Sequence, residues 1–216
     1  MKKLSKIQKA IEIKKILDQR YPEPKCSLDY ASPFELLIAT ILSAQCTDAR
    51  VNMVTPKLFA KYPMAKDLAM AKLDDVANIL HPLGFYNTKA KNIIACAQGL
   101  VELYGGEVPM GIEKLTRLGG VGRKTANLIM GDIFGAPSYV VDTHCSRIVK
   151  RLGLVEKSIK SADIIEKKLR EVVPEGISTD FCHMMVHFGR DVCNARKPKC
   201  DECELKELCD EIIHNS

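Results

Sequence analysis

The segment PFELLIATILSA, residues 33–44, constrains this chain more than any other, because a helix built from it is apolar on every face. Ser32, Pro33 and Glu35 stand where a capping box puts them, with proline at the first helical position, so the helix has a defined start. A helix with no polar face has no side to leave in water. It has to be central, and the rest of the chain has to enclose it. No apolar run in the chain is long enough to cross a membrane. With 216 residues, 46% of them hydrophobic, there is ample material for the enclosure, as one large domain or two small ones.

The enclosing segments carry helical signals too. Thr47 or Asp48 caps a helix that runs toward Tyr62 and stops at Pro63. Asp74 to Leu80 makes a short helix ahead of Pro82 and Gly84, and Asn87 or Thr88 starts a longer one closed at Gly105. GIEKLTRL and KTANLIMGDIFG lie on either side of a glycine turn. Asp142 or Thr143 opens a helix through Arg151, closed at Gly153, and residues 161–172 and 179–190 give two more. In the lysine-rich N-terminus, Lys9, Lys14 and Lys15 interrupt what would be the apolar core of a signal peptide. The spacing of Ile7, Ile11 and Leu17 predicts an amphipathic helix there. Alternation with period two is almost absent, and SYVV at 138–141 reads as a connector. The pattern predicts an all-α protein of about ten helices, soluble and intracellular.

The glycine turn is GGVGRKTAN, residues 119–127. A Walker phosphate loop needs glycine directly before its Lys-Ser/Thr pair and a strand before the loop; here Arg123 intervenes and a helix precedes. A dinucleotide fingerprint needs a βαβ unit, and none surrounds this turn. What remains is helix, glycine turn, helix. Backbone N–H groups at such a turn, here at Gly120, Gly122 and Arg123, suit a phosphate oxygen. The same glycines also suit an ordinary tight helical corner. The net charge of +5 permits a nucleic acid partner without requiring one.

Lys124 sits in the first turn of the helix that follows, where the partial positive charge of the N-terminus disfavours a cation. That potential, neighbouring Arg123 and partial desolvation all favour the neutral amine, which is the nucleophilic form. A phosphate-binding lysine is the alternative that the same basic turn supplies. Asp142, in VDTH, stands at a helix start, where aspartate serves as a cap.

Nine cysteines without a secretory signal argue against a disulfide framework. Cys26, Cys46, Cys96, Cys145 and Cys182 are scattered, but Cys193, Cys200, Cys203 and Cys209 form C-x6-C-x2-C-x5-C within 17 residues. Zinc prefers two short pairs, and this spacing has one. The longer arms suit the wider iron–sulfur cube, with zinc as the alternative. Arg196, Lys197 and Lys199 lie on the loop between the first two cysteines, placed to meet phosphates or simply solvated.

Several stretches together resemble the helix-hairpin-helix DNA glycosylases of the endonuclease III type, over about Lys25 to Asp210. They are SAQCTD at 43–48, GFYNTKAKNI at 84–93, GEVP at 106–109, LGGVGRKTAN at 118–127, VVDTHCSR at 140–147 and ARKPKC at 195–200, followed by the cysteine tail. The resemblance implies two domains. Residues 26–136 would be a six-helix bundle carrying the hairpin; residues 1–25 with 137–216 would be a helical domain carrying a 4Fe-4S cluster on the four cysteines. Lys124 and Asp142 would be catalytic, on opposite walls of a cleft. The partner would be double-stranded DNA with a damaged base or an abasic site. Lys124 would attack C1′ of an extruded nucleotide, displace an oxidised pyrimidine and, through a Schiff base, nick the strand by β-elimination. Gln45 and Phe85 would be wedges filling the hole in the duplex. The protein would be a monomer in the cytoplasm of a prokaryotic cell, associated with the nucleoid.

The chain departs from the family's usual pattern at Gly119, where proline is common, at Cys46, where alanine is common, and at Phe85, where leucine is more frequent. The first change would loosen the hairpin. A related glycosylase with another base preference, and a non-catalytic DNA-binding or electron-transfer protein, remain as rival readings.

Overall fold

The computed structural model describes residues 4–213, and among them the chain is all-α with no strand. The helices are α1 (Lys6–Asp18), α2 (Pro33–Leu42), α3 (Asp48–Lys61), α4 (Ala65–Ala69), α5 (Leu73–Leu80), α6 (Tyr86–Tyr104), α7 (Ile112–Leu115), α8 (Arg123–Asp132), α9 (Thr143–Arg151), α10 (Ala162–Val172), α11 (Ser178–Asp191) and α12 (Asp210–Ile213). The chain forms two compact units. One is Ser27–Gly135; the other joins Met1–Cys26 to Ala136–Ser216.

In the Ser27–Gly135 unit, α2 is the central helix. Every residue from Phe34 to Leu42 except Glu35 is buried, and α2 packs against α3, α6 and α8. Each large apolar side chain so enclosed contributes about 1.5–3 kcal/mol relative to exposure. Ser32 Oγ accepts from Glu35 N–H at 3.2 Å, as a cap should. The return half of the expected box is shifted: the Glu35 carboxylate accepts from Ala31 N–H at 2.7 Å, one residue before the cap. Helix α6 begins at Tyr86, earlier than Asn87 or Thr88, because Phe85 takes a left-handed turn directly before it. Gly105, also left-handed, closes it as expected. GIEKLTRL yields only the single helical turn α7, and α4 carries no strong sequence signal of its own.

In the other unit, α1 packs against α10 and α11, and α9 against α11. The buried stripe of α1 is Ala10, Ile13 and Leu17, whereas Ile7 and Ile11 are half exposed. The stripe expected from Ile7, Ile11 and Leu17 is therefore corrected: residues 10, 13 and 17 follow the i, i+3, i+7 rule and place small Ala10 at the contact. SYVV is a connector, as its short length suggested. It is a buried one, with Tyr139 donating its hydroxyl to the Val173 carbonyl at 2.9 Å.

Candidate functional site

Three glycines shape the turn into α8, and each has a different reason. A Cβ at Gly119 would lie 2.7 Å from the Ala95 Cβ and 3.1 Å from backbone atoms of Ala95 and Cys96. The turn thus rests directly on α6. The expected loosening by glycine is corrected: its missing side chain is what permits the close approach. Gly120 needs glycine for its φ of +73°, and a Cβ there would also meet Asn92 at 2.9 Å. Gly122 needs neither. Its φ of −91° and ψ of 176° suit any residue, and a Cβ would meet nothing within 4 Å. It stands at the N-cap of α8 with no side-chain cap, so it leaves open space beside a helix N-terminus.

Arg123 and Lys124 are the first two residues of α8, and both are exposed. The expected partial desolvation of Lys124 is therefore corrected: its side chain leaves the first helical turn into solvent. The face of α8 behind it is anchored by buried Ala126, Asn127, Leu128 and Ile129, with the Asn127 amide donating to the Arg123 carbonyl at 3.2 Å.

Gln45 and Phe85 are the two non-glycine residues with positive φ among the described residues, at 53° and 57°. Such backbone is strained, by an amount of order 1–3 kcal/mol per residue, and clusters at functional sites. Gln45 follows the end of α2, and Phe85 precedes α6. They line one cavity of about 260 Å3 together with Ile41, Lys89, Asn92 and Gly120. Phe85 is 69% exposed, so it is no core residue.

Lys89 in that cavity was not singled out by sequence reasoning. It is only 4% exposed, and its ammonium has no hydrogen-bond partner among the described residues. Burial pushes its pKa down, opposed only by the nearby Cys46 sulfur. A signal existed: Lys89 shares the helical stripe of Ile93, Cys96 and Leu100, all buried.

In the other unit, Asp142 caps α9 as expected. One carboxylate oxygen accepts from Cys145 N–H at 2.7 Å. The side chain is half-buried, and its charge acts on Arg147 of the same helix. The far end of α9 holds the cysteine loop. Arg147 donates to the Gly189 and Cys193 carbonyls at 3.0 and 2.9 Å. Arg151 donates to the Asn194 carbonyl at 2.9 Å and to the Cys193 sulfur at 3.2 Å. Sequence reasoning missed these two arginines, whose i, i+4 spacing puts them on one face of α9.

Cys193, Cys200, Cys203 and Cys209 all line one cavity of about 390 Å3. Among the described residues, no three His, Cys, Asp or Glu side chains converge tightly enough to hold a single metal ion. Burial, reinforced by the Cys193 and Cys209 sulfurs, pushes the Cys203 thiol up to about 11 against a hydrogen bond at Leu205. A thiol so placed becomes a thiolate only beside a strong positive charge. The loop residues Arg196, Lys197 and Lys199 are exposed.

The chain matches known proteins along most of its length. Residues 38–175 match the HhH-GPD superfamily of base excision DNA repair proteins. Endonuclease III of Synechocystis sp. is 47% identical over 211 residues, 96% of this chain and 94% of that one. The fold matches a solved non-covalent endonuclease III–DNA complex with a TM-score of 0.91 at 39% identity, covering 99% of both chains. It also matches a trapped endonuclease III–DNA covalent intermediate with an estranged adenine, with a TM-score of 0.88 at 39% identity and the same coverage. A chain that folds its glycine turn, its exposed helix-opening lysine and its cysteine loop in this way, at such identity, belongs to the HhH-GPD superfamily of base excision DNA repair proteins, within the endonuclease III family.

Proposed function

We propose that this protein is a DNA N-glycosylase and AP lyase of base excision repair that removes oxidised pyrimidines from duplex DNA. The observation that carries the reading is Lys124 on the first turn of α8, two residues after Gly122, which the fold itself does not need as glycine. A phosphate can approach the bare N–H groups of this turn closely, and the lysine beside it reaches the sugar.

In this reading the damaged nucleotide leaves the stack, because C1′ cannot be reached inside the duplex. Gln45 and Phe85 fill the space it vacates. Lys124 lies in solvent in the free protein, and a bound duplex would exclude water from around it. The neutral Nζ attacks C1′. The bond from C1′ to the base nitrogen breaks, and the base departs with the electron pair. Asp142, held at the start of α9 by its bond to Cys145 N–H, is the carboxylate that this reading assigns to stabilising positive charge on the sugar. The sugar opens to a Schiff base with Lys124, a C2′ proton is lost, and the 3′ phosphate leaves by β-elimination.

The four tail cysteines suit a 4Fe-4S cluster better than zinc. Their sulfurs line a cavity rather than a single point, and the spacing C-x6-C-x2-C-x5-C has long arms. When bound, such a cluster supplies four fixed attachment points for the loop. The loop's own residues do the work on DNA: Arg196, Lys197 and Lys199 face phosphates. A repair enzyme acts where the genome lies, and this reading puts one chain, as a monomer, in the cytoplasm of a prokaryotic cell.

Borohydride trapping tests the assignment. The wild-type protein mixed with duplex carrying thymine glycol or an abasic site should give a covalent complex. Lys124→Ala should keep binding within a few-fold, form no complex and lose strand cleavage by at least about a thousandfold. Normal nicking by that variant would return Lys124 to a phosphate-holding role.

A further inference from the structure

Lys89 and Cys46 have no part in the reaction above, and together they form an unbalanced pair. Lys89 is 4% exposed, and its ammonium makes no hydrogen bond among the described residues. A buried cation ordinarily has an anion beside it. The group whose charge does reach Lys89 is the sulfur of Cys46. Cys46 follows Gln45, which lines the same cavity as Lys89, and the Cys46 N–H donates to the Ser43 carbonyl at 3.1 Å. The turn between α2 and α3 thus holds the sulfur near the ammonium. Cys46 is a free thiol and half-buried, so a small solute reaches it, whereas the Lys89 ammonium is closed to water. A thiol sulfur is a weak acceptor for an ammonium. A sulfur that carries a charged oxygen is a strong one. The pair is therefore unbalanced while Cys46 is reduced and balanced once it is oxidised.

We propose that Cys46 is a site of oxidation by hydrogen peroxide, with the buried Lys89 ammonium as counterion of its sulfenate, and that this oxidation weakens DNA binding. The second half rests on the glycosylase reading, which puts neighbouring Gln45 inside the duplex; the first half does not. In the step, the Cys46 thiol gives up its proton and the sulfur attacks one oxygen of the peroxide. An S–O bond forms as the O–O bond breaks. The sulfur loses two electrons, the peroxide gains them, and hydroxide leaves, taking the thiol proton to become water. The sulfenic acid then loses its own proton to solvent, and its oxygen accepts a hydrogen bond from Lys89. The new negative charge stands one residue from Gln45, where it repels a phosphate backbone.

The test treats the whole protein briefly with dilute hydrogen peroxide, alkylates the remaining thiols and reads each cysteine by peptide mass spectrometry. Cys26, also a half-buried thiol, is the comparator within the same molecule. In wild type, Cys46 should lose its free thiol about tenfold faster than Cys26 and regain it with dithiothreitol, a readout that does not depend on any variant folding. Lys89→Met should slow the loss at Cys46 about tenfold and leave Cys26 unchanged, and Lys89→Arg should keep most of the wild-type rate. Equal rates at the two cysteines in wild type, or an unchanged Cys46 rate in Lys89→Met, would overturn the site. Binding to a duplex with a tetrahydrofuran abasic analogue reads the second half. Peroxide should weaken it about tenfold in wild type, reversibly, and leave Cys46→Ala at the affinity of untreated wild type. Equal weakening in Cys46→Ala, or none in wild type, would overturn the effect on DNA. Failure of untreated wild type to prefer the abasic duplex over intact DNA would overturn the glycosylase reading and the effect on DNA with it, while a fast, Lys89-dependent loss of the Cys46 thiol would still establish the oxidation site.

Discussion

The glycine turn and the cysteine tail are both loops that carry basic residues, but they are held in different ways. The turn is held by packing. Gly119 rests on the backbone of α6, Gly120 on Asn92 and Ile41, and buried Leu118 and Val121 flank them. The tail has almost no core of its own; between Cys193 and Ile212 the buried side chain is Leu205. Its other ties are polar. They are the Arg147 and Arg151 bonds to loop carbonyls and ion pairs such as Arg20–Glu204 and Lys9–Asp210, both 2.6 Å. Surface or half-buried pairs of that kind contribute about 0–1 kcal/mol each. A segment with one buried side chain needs a covalent or metal staple, whereas a segment laid on a helix does not.

The largest expected effect breaks that contrast at the tail. Cys203→Ala, or removal of the proposed cluster by chelation and oxidation, should unfold the cysteine loop. Limited proteolysis should then cut between residues 193 and 213 while Ser27–Gly135 stays protected. A tail that resists the protease after that treatment would mean that packing holds it after all. Next comes Gly119→Ala, which pushes a methyl into Ala95. It should cost about 1–3 kcal/mol in denaturant unfolding, and a neutral result would show that the turn is not seated on α6.

The cavity beside the turn offers a stabilising change. Lys89→Met removes a buried, unpaired ammonium and should raise stability by about 1–2 kcal/mol at neutral pH. Burial lowers the folded-state pKa of Lys89, so between that value and the ordinary lysine value near 10.5 the unfolded state binds more protons. Wild-type stability therefore gains with rising pH in that window, and the advantage of Lys89→Met should shrink as pH rises through it. Melting curves across that range check the sign. The smallest effect on stability is expected at Gly122→Ala, within about 0.5 kcal/mol, because its Cβ would meet open space. Affinity for abasic DNA should still fall about tenfold, since the methyl stands where a phosphate would come close. Unchanged affinity would make Gly122 an ordinary corner residue.

Much of the fold was legible because its signals are local. Ser32, Thr47 and Asp142 cap the helices they were expected to cap, and Gly105 closes α6. An apolar run with no polar side located the central helix. The boundaries that slipped did so for non-local reasons. Phe85 ends its turn in a left-handed conformation that no propensity foretells, and the Ile7/Ile11 stripe lost to one built on Ala10, whose small size matters only against a partner helix.

For the site, chemistry-bearing residues were legible where type and spacing alone define them: the four cysteines, the lysine in a first helical turn, the aspartate at a cap. Tertiary structure alone decided three things. It left Lys124 in solvent, where its place in the first helical turn beside Arg123 suggested partial desolvation. It brought Gln45, from the end of α2, beside Phe85 and Lys89, forty residues and more along the chain, in one cavity. And it showed that Gly119 and Gly122, identical in sequence, serve opposite ends. One is glycine because a helix lies against it, the other although nothing does. Local backbone preferences are written residue by residue, so the sequence carries them openly; burial and close approach are properties of pairs distant in the chain, and only the folded molecule sets those distances.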